Sequence, residues 1–151
     1  MRRALPRKKM TGKDFQKKMH FFAYATDKTD NRFGLQIAWS RDGFSWNLFG
    51  DGFAWLSSPF DAGDTGRKFI NPFVFRAGDG VFHCVYQTGC KDSRFAHTSS
   101  KDLVHWSRQN IFRTNRSAVR NPVVEQTLNG FAVLFRDAEG KAWRTETSDW
   151  K

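Results

Sequence analysis

The sequence predicts an all-β fold, a propeller-like array of about three four-stranded antiparallel blades. Three observations carry that prediction. The stretch Ala38-Trp39-Ser40-Arg41-Asp42-Gly43-Phe44-Ser45-Trp46 returns 60 residues later as Thr98-Ser99-Ser100-Lys101-Asp102-Leu103-Val104-His105-Trp106. A shorter third copy, Glu146-Thr147-Ser148-Asp149-Trp150, ends with its own Trp. A second motif, Ile70-Asn71-Pro72-Phe73-Val74-Phe75, returns 50 residues on as Arg120-Asn121-Pro122-Val123-Val124-Glu125. Finally, an apolar run precedes each Ser/Asp/Trp corner, at 20–26, 81–88 and 131–135. Short strands that repeat about every 40–60 residues are the mark of propellers and arrays.

The 151 residues suffice for one domain with a sizeable core. Sixteen Phe and six Trp against two Tyr supply large rings for sheets packed face to face. The net charge of +10 is concentrated at one end. Residues 1–18 hold eight Lys/Arg and one acid, so they carry +7 and the remaining residues only +3. The first 18 residues are therefore expected to be a solvated basic arm, and residues 19–151 the array. No apolar stretch follows Arg2 and Arg3 as a secretion signal requires, and none approaches the roughly 18 residues of a membrane span.

The elements follow in order from the best-formed repeat. Residues 71–76 read as a first strand, Ala77-Gly78-Asp79-Gly80 as a tight turn and 81–88 as a second strand. Residues 89–93 form a loop, 94–99 a third strand, and a fourth is expected near 107–112. Pro72 and Pro122 stand at strand starts, where a missing N–H costs least. Asp42 and Asp102 are expected to fold back onto backbone N–H groups as Asx turns, with Ser40 and Ser100 doing likewise. The Trp that follows then packs over the corner. Blade one lacks a visible first strand, because the basic arm stands where it would be. Three incomplete blades do not close a ring, since propellers typically have about four to eight. Either the chain is a piece of a longer protein or copies associate to finish the ring.

Several residues stand out chemically. Glu125 occupies the position that Phe75 holds in the preceding repeat, and a carboxylate there needs a partner or a function. Arg120, Arg136 and Arg144 are the candidate partners; the functional reading makes Glu125 an acid or an acceptor for a sugar hydroxyl. His83 lies mid-strand between Phe82 and Cys84, as an interior histidine or a ligand contact. Trp55 sits in the long connection 50–68, where its ring either meets a sugar or covers the mouth between two blades together with Phe60. Cys84 and Cys90 read as free thiols, and no His/Cys cluster suggests a metal. No cofactor is expected.

The Asn-Pro-Phe strand, the Ser-Ser-Lys-Asp-Leu-Val-His-Trp turn and the spacing between them resemble glycoside hydrolase family 43 and its relatives, over residues 20–151. That resemblance implies part of a five-bladed propeller and a glycan partner of the arabinan or xylan type, in a family mostly found outside the cytoplasm. Such enzymes use an Asp before Pro as base, a second Asp to tune the site and a Glu as general acid, the paired-carboxylate logic of glycoside hydrolysis. Here both matching positions read Asn, Asn71 before Pro72 and Asn121 before Pro122, while Met10 and Thr11 stand near the expected first Asp. An amide cannot serve as general base. The resemblance thus implies a carbohydrate-active scaffold that is inactive alone; Asn71, Asn121, His83 and Trp55 are the candidate glycan contacts, and Glu125 is the candidate acid. A working glycosidase would need Glu125 as acid and Asp27 or Asp137 as base. A third reading makes the chain a polyanion-binding module through its arm. It is disfavoured for nucleic acid, because aromatics do not interleave with the arm's cations.

Overall fold

The computed structural model describes residues 19–26, 34–60 and 68–151. The basic arm, Met10, Thr11 and Asp27 lie outside the described residues. Among the described residues, ten strands form three antiparallel sheets, one per repeat. Blade one comprises β1 (His20–Thr26), β2 (Gly34–Ser40) and β3 (Asn47–Leu48). Blade two comprises β4 (Ile70–Arg76), β5 (Phe82–Gln87), β6 (Arg94–Ser100) and β7 (Asn110–Arg113). Blade three comprises β8 (Arg120–Thr127), β9 (Gly130–Arg136) and β10 (Ala142–Thr147). The protein is thus an all-β, partial propeller in which blade two alone shows four strands among the described residues. Repeat equivalence makes β1 and β2 counterparts of β5 and β6, so blade one shows no innermost strand there. Among the described residues, blade three shows no outermost one.

The alternation of each strand sends two sets of side chains to two different neighbours. From blade two, Cys84, Tyr86 and Ala96 join Leu35, Ile37 and Leu56 of blade one in one buried cluster, with half-buried Val74 packed against it. Its opposite face sends Val85 and Phe95 to meet Val124, Val133 and Phe135 of blade three in a second cluster. Each core therefore lies between blades. Inside the first, Tyr86 is fully buried and stacks on Phe69 with ring centroids 3.9 Å apart. Burial also pushes the Cys84 thiol far above its ordinary range.

The corners are built as the sequence indicates. The Ser40 Oγ accepts from the N–H of Gly43 at 2.8 Å, and Asp42 Oδ1 accepts from Phe44 and Ser45 at 2.8 Å each. In blade two, Ser100 Oγ accepts from Leu103 at 2.9 Å, and Asp102 Oδ1 from Val104 and His105 at 2.9 and 2.8 Å. These bonds favour the charged carboxylates and hold both Asp groups well below their usual range. The Ser45 and Phe44 amides are the chief cause at Asp42, and the His105 ring and amide at Asp102.

The third corner differs in register from the sequence expectation. Trp150 N donates to Thr147 Oγ1 at 3.3 Å, so Thr147 plays the part of Ser40 and Ser100. Trp150 then stands where Gly43 and Leu103 stand, all three with left-handed backbone, at φ 59°, 79° and 67°. It is therefore not the counterpart of Trp46 and Trp106. Trp106 does cover its corner, half-buried, with its Nε1 donating to Leu103 O at 3.1 Å. Trp150 instead plugs the interface with the preceding blade, as Leu103 does one repeat earlier.

Candidate functional site

The inner strands β4 and β8 share a local device. Ladder register shifts between Ile70 and Phe73 on β4, and between Arg120 and Val123 on β8. Within each bulge an Asn takes left-handed backbone, Asn71 at φ 48° and Asn121 at φ 50°. Asn tolerates that region because its short amide adds little steric conflict, and Pro72 and Pro122 follow where the ladder is already interrupted. The bulges re-aim both amides so that they meet across the blade boundary, with Asn71 Nδ2 donating to Asn121 Oδ1 at 2.5 Å. The backbone N–H of Asn121 donates in turn to the buried Gln87 Oε1 at 3.3 Å, which ties β8 to blade two.

This pair lies in a groove of about 560 Å³ formed by β1, the start of β4 and the start of β8. Phe22, Tyr24 and Phe73 give it aromatic walls, and Thr26, Lys68 and the two amides supply its polar atoms. No carboxylate lines it among the described residues. With their shared bond made, Asn71 keeps a free carbonyl oxygen and Asn121 keeps N–H donors. A donor and an acceptor side by side between rings suit neutral hydroxyl groups.

The other sequence candidates stand apart from this groove. Glu125 is exposed on β8, opposite Ala132, on the face of blade three turned away from blade two. The three arginines expected near it are engaged elsewhere. Arg120 donates to Ala138 O at 3.2 Å, Arg136 donates to Gly140 O at 2.8 Å, and Arg144 pairs with Glu146. Trp55 is half-buried in the first core, tilted against Phe49, and donates from Nε1 to Phe49 O at 2.9 Å. Phe60 packs beside the same cluster. Asp137 closes the β9–β10 turn. Its Oδ1 accepts from Glu139 and Lys141, its Oδ2 accepts from Trp143 Nε1 at 2.7 Å, and that indole bond leads in lowering its pKa.

His83 lies at the interface of blades two and three. Its Nδ1 shares a hydrogen bond of 2.9 Å with Nε2 of His97, a residue that sequence reasoning did not single out. Burial lowers both pKa values, that of His97 to about 3 with help from the charge of His83, while Asp79 opposes the shift at His83. The two remaining ring nitrogens, His83 Nε2 and His97 Nδ1, are buried without a hydrogen-bond partner, as is Trp150 Nε1. Among the described residues, no group of three or more His, Cys, Asp or Glu side chains could hold a metal.

Fold and groove together define a partial β-propeller whose axial cleft holds no carboxylate among the described residues. Solved structures carry the comparison further. The chain is similar to a family 43 β-1,3-galactosidase, with TM-score 0.60, 13% identity and 88% of this chain covered. It is also similar to an exo-β-1,3-galactanase from Clostridium thermocellum, with TM-score 0.50, 17% identity and 83% covered. It spans only 30% and 28% of those two chains. At such identities the likeness establishes the fold, a partial family 43-like propeller. No family model and no curated protein matches the sequence.

Proposed function

We propose that this chain is a carbohydrate-binding part of a family 43-like propeller, which holds a neutral polysaccharide in its axial groove without cleaving it alone. The observation that carries this reading is the Asn71–Asn121 pair in a groove with no carboxylate among its described lining residues. Glycoside hydrolysis needs an acid and a base on either side of the bond, and two amides supply neither. The sequence resemblance points to arabinan or xylan, and the solved neighbours are named for β-1,3-galactose linkages. Arabinan, xylan and β-1,3-galactan are therefore the ligands to compare.

Binding measured by titration calorimetry should be saturable for one of the three. The variants Asn71→Gly and Asn121→Gly suit the left-handed backbone, so they remove the amides without straining the fold. Each should weaken binding about tenfold or more, as expected when a polar partner is left unmatched. Undiminished binding would refute the groove. Release of reducing sugar that Glu125→Gln or Asp27→Asn abolishes would favour the glycosidase reading. Binding to a polyanion that vanishes on deleting residues 1–18 would favour the arm. Self-association would set the Phe22 and Tyr24 face of blade one against the Glu125, Arg144 and Glu146 face of a second copy, and a doubled mass by light scattering would support that ring closure.

A further inference from the structure

The contact between blades one and two and the contact between blades two and three are two copies of one arrangement. Ser40 and Ser100 hold equivalent corners, and the registers run alike, His20 facing Ser40 as Phe82 faces Ser100. Phe21, Ile37 and Leu103 of the first contact therefore stand where His83, His97 and Trp150 stand in the second. The first contact is apolar at these places, its three side chains converging on a small cavity beside Val74 and Phe75. In the second, the same places hold all the buried side-chain nitrogens and oxygens without a hydrogen-bond partner among the described residues: His83 Nε2, His97 Nδ1 and Trp150 Nε1. Packing does not require them, because the sibling contact closes with hydrocarbon there. Such buried polar atoms call for an explanation of their own.

The pair is also tied to the groove. His83, Val85 and Gln87 alternate along β5 and all face blade three: His83 meets Phe131, Val85 joins the second core, and Gln87 Oε1 accepts from the Asn121 N–H. Asn121 Oδ1 accepts in turn from Asn71, so histidines and groove amides hold opposite ends of one contact. We propose that the His83–His97 pair is an acid-sensitive latch between blades two and three, whose protonation parts the blades and releases the glycan held at Asn71 and Asn121. The release rests on the groove reading above; the parting of the blades does not. With both rings neutral, one of the two facing nitrogens donates and the other accepts. A proton on each ring makes both nitrogens donors and sets two positive charges side by side in a ring-lined interface. The side chains around the pair, Phe75, Asn110, Phe112, Phe131 and Trp150, are neutral. Asp79, in the β4–β5 turn, favours a charge on His83, and burial outweighs it. Asp149 and Lys151 flank Trp150 and pair with each other, and Glu125 of β8 turns away. The groove itself has no carboxylate or histidine among its described lining residues, so acid acts on it through the latch.

The experiment compares the whole chain at pH 7 and pH 4.5, with two readouts. One is calorimetric binding of arabinan, xylan and β-1,3-galactan; the other is amide exchange, corrected for the intrinsic effect of pH. Each pH unit below the ordinary histidine range multiplies opening by about ten for each proton taken up. Protection at Asn121, Val124 and Val133 should therefore fall about tenfold or more at pH 4.5, while Leu35 and Ile37 in the other contact keep theirs. Whichever glycan binds at pH 7 should bind about tenfold more weakly or worse at pH 4.5. In the double variant His83→Phe/His97→Ile, which copies the first contact, both losses should shrink below about threefold. Protection that holds at pH 4.5, or that falls equally in the variant, would overturn the latch. So would a glycan that stays bound while the blades part. If no glycan binds at pH 7, the groove reading and the release fall together, and exchange alone decides the parting of the blades. Proton uptake by the two imidazoles, followed by NMR in the unaltered chain, must coincide with that parting even if the variant does not fold, and a mismatch refutes the latch.

Discussion

The indole of Trp150 lies flat on the imidazole of His97, with ring centroids 3.9 Å apart and planes within 4°. His97 in turn shares its Nε2 with Nδ1 of His83, so three rings form one polar seam inside an aromatic interface. Neither imidazole can take up a further proton there without placing a buried charge among rings.

That seam makes stability depend on pH. The unfolded chain protonates its histidines near pH 6.5, whereas native His97 stays neutral to about pH 3 and native His83 is lowered as well. The unfolded state therefore binds more protons between those limits. Stability should be fully present above pH 6.5 and fall as pH drops toward 3, by about 1.4 kcal/mol per pH unit through His97, with His83 acting in the same direction. Chemical denaturation at pH 7 and pH 5 measures the difference. His97→Phe should flatten that dependence, and an unaltered slope in the variant would refute the assignment.

Trp150 and Leu103 occupy equivalent corner positions and each seals one interface. Trp150→Ala should cost about 3–5 kcal/mol, the usual range for emptying a large buried aromatic. Trp150→Leu, which copies the solution of blade two, should recover part of that loss. Urea unfolding checks both, and a Leu variant no better than Ala would mean the two corners are not equivalent.

Ser100 is buried, and its hydroxyl accepts from Leu103 at 2.9 Å and Asp102 at 3.2 Å while donating to Asp102 at 3.0 Å. Ser100→Ala strands a buried amide and should lower stability by about 1–3 kcal/mol. Ser100→Thr keeps the acceptor, and a comparable loss there would point to crowding rather than the hydrogen bond.

Glu125 is exposed and the nearby arginines have other partners. Glu125→Gln should therefore change stability by less than about 0.5 kcal/mol, as for surface sites without special contacts. A thermal melt decides this, and a large loss would reveal a partner for the carboxylate.

Much of the architecture is written in the repeats. In blade two, strands expected at 71–76, 81–88 and 94–99 occur as Ile70–Arg76, Phe82–Gln87 and Arg94–Ser100. The fourth arrives later than 107–112, at Asn110–Arg113, because Trp106 first bridges Ser100 and Ser107 N donates back to Ser99 O. The third corner misled by identity. Ser148 matches Ser40 and Ser100 in type, yet Thr147 supplies the hydroxyl that the geometry uses. The groove was half legible: Asn before Pro at both inner strands marks a left-handed bulge, but no local pattern reveals that the two amides touch. The histidine pair was hidden for a similar reason. His83 faces Ser99 and His97 faces Val85 across the ladder, so the rings meet on a diagonal that only the register discloses.

Because each core lies between blades, no sheet here owns the interior that stabilises it. Blade two contributes to both cores, while blades one and three draw on one each. Among the described residues the molecule is built as a short stack of nearest neighbours, with its middle member packed from two sides. Loss of one outer blade would therefore expose one side of the centre, Tyr86 or Val85, and leave the other covered.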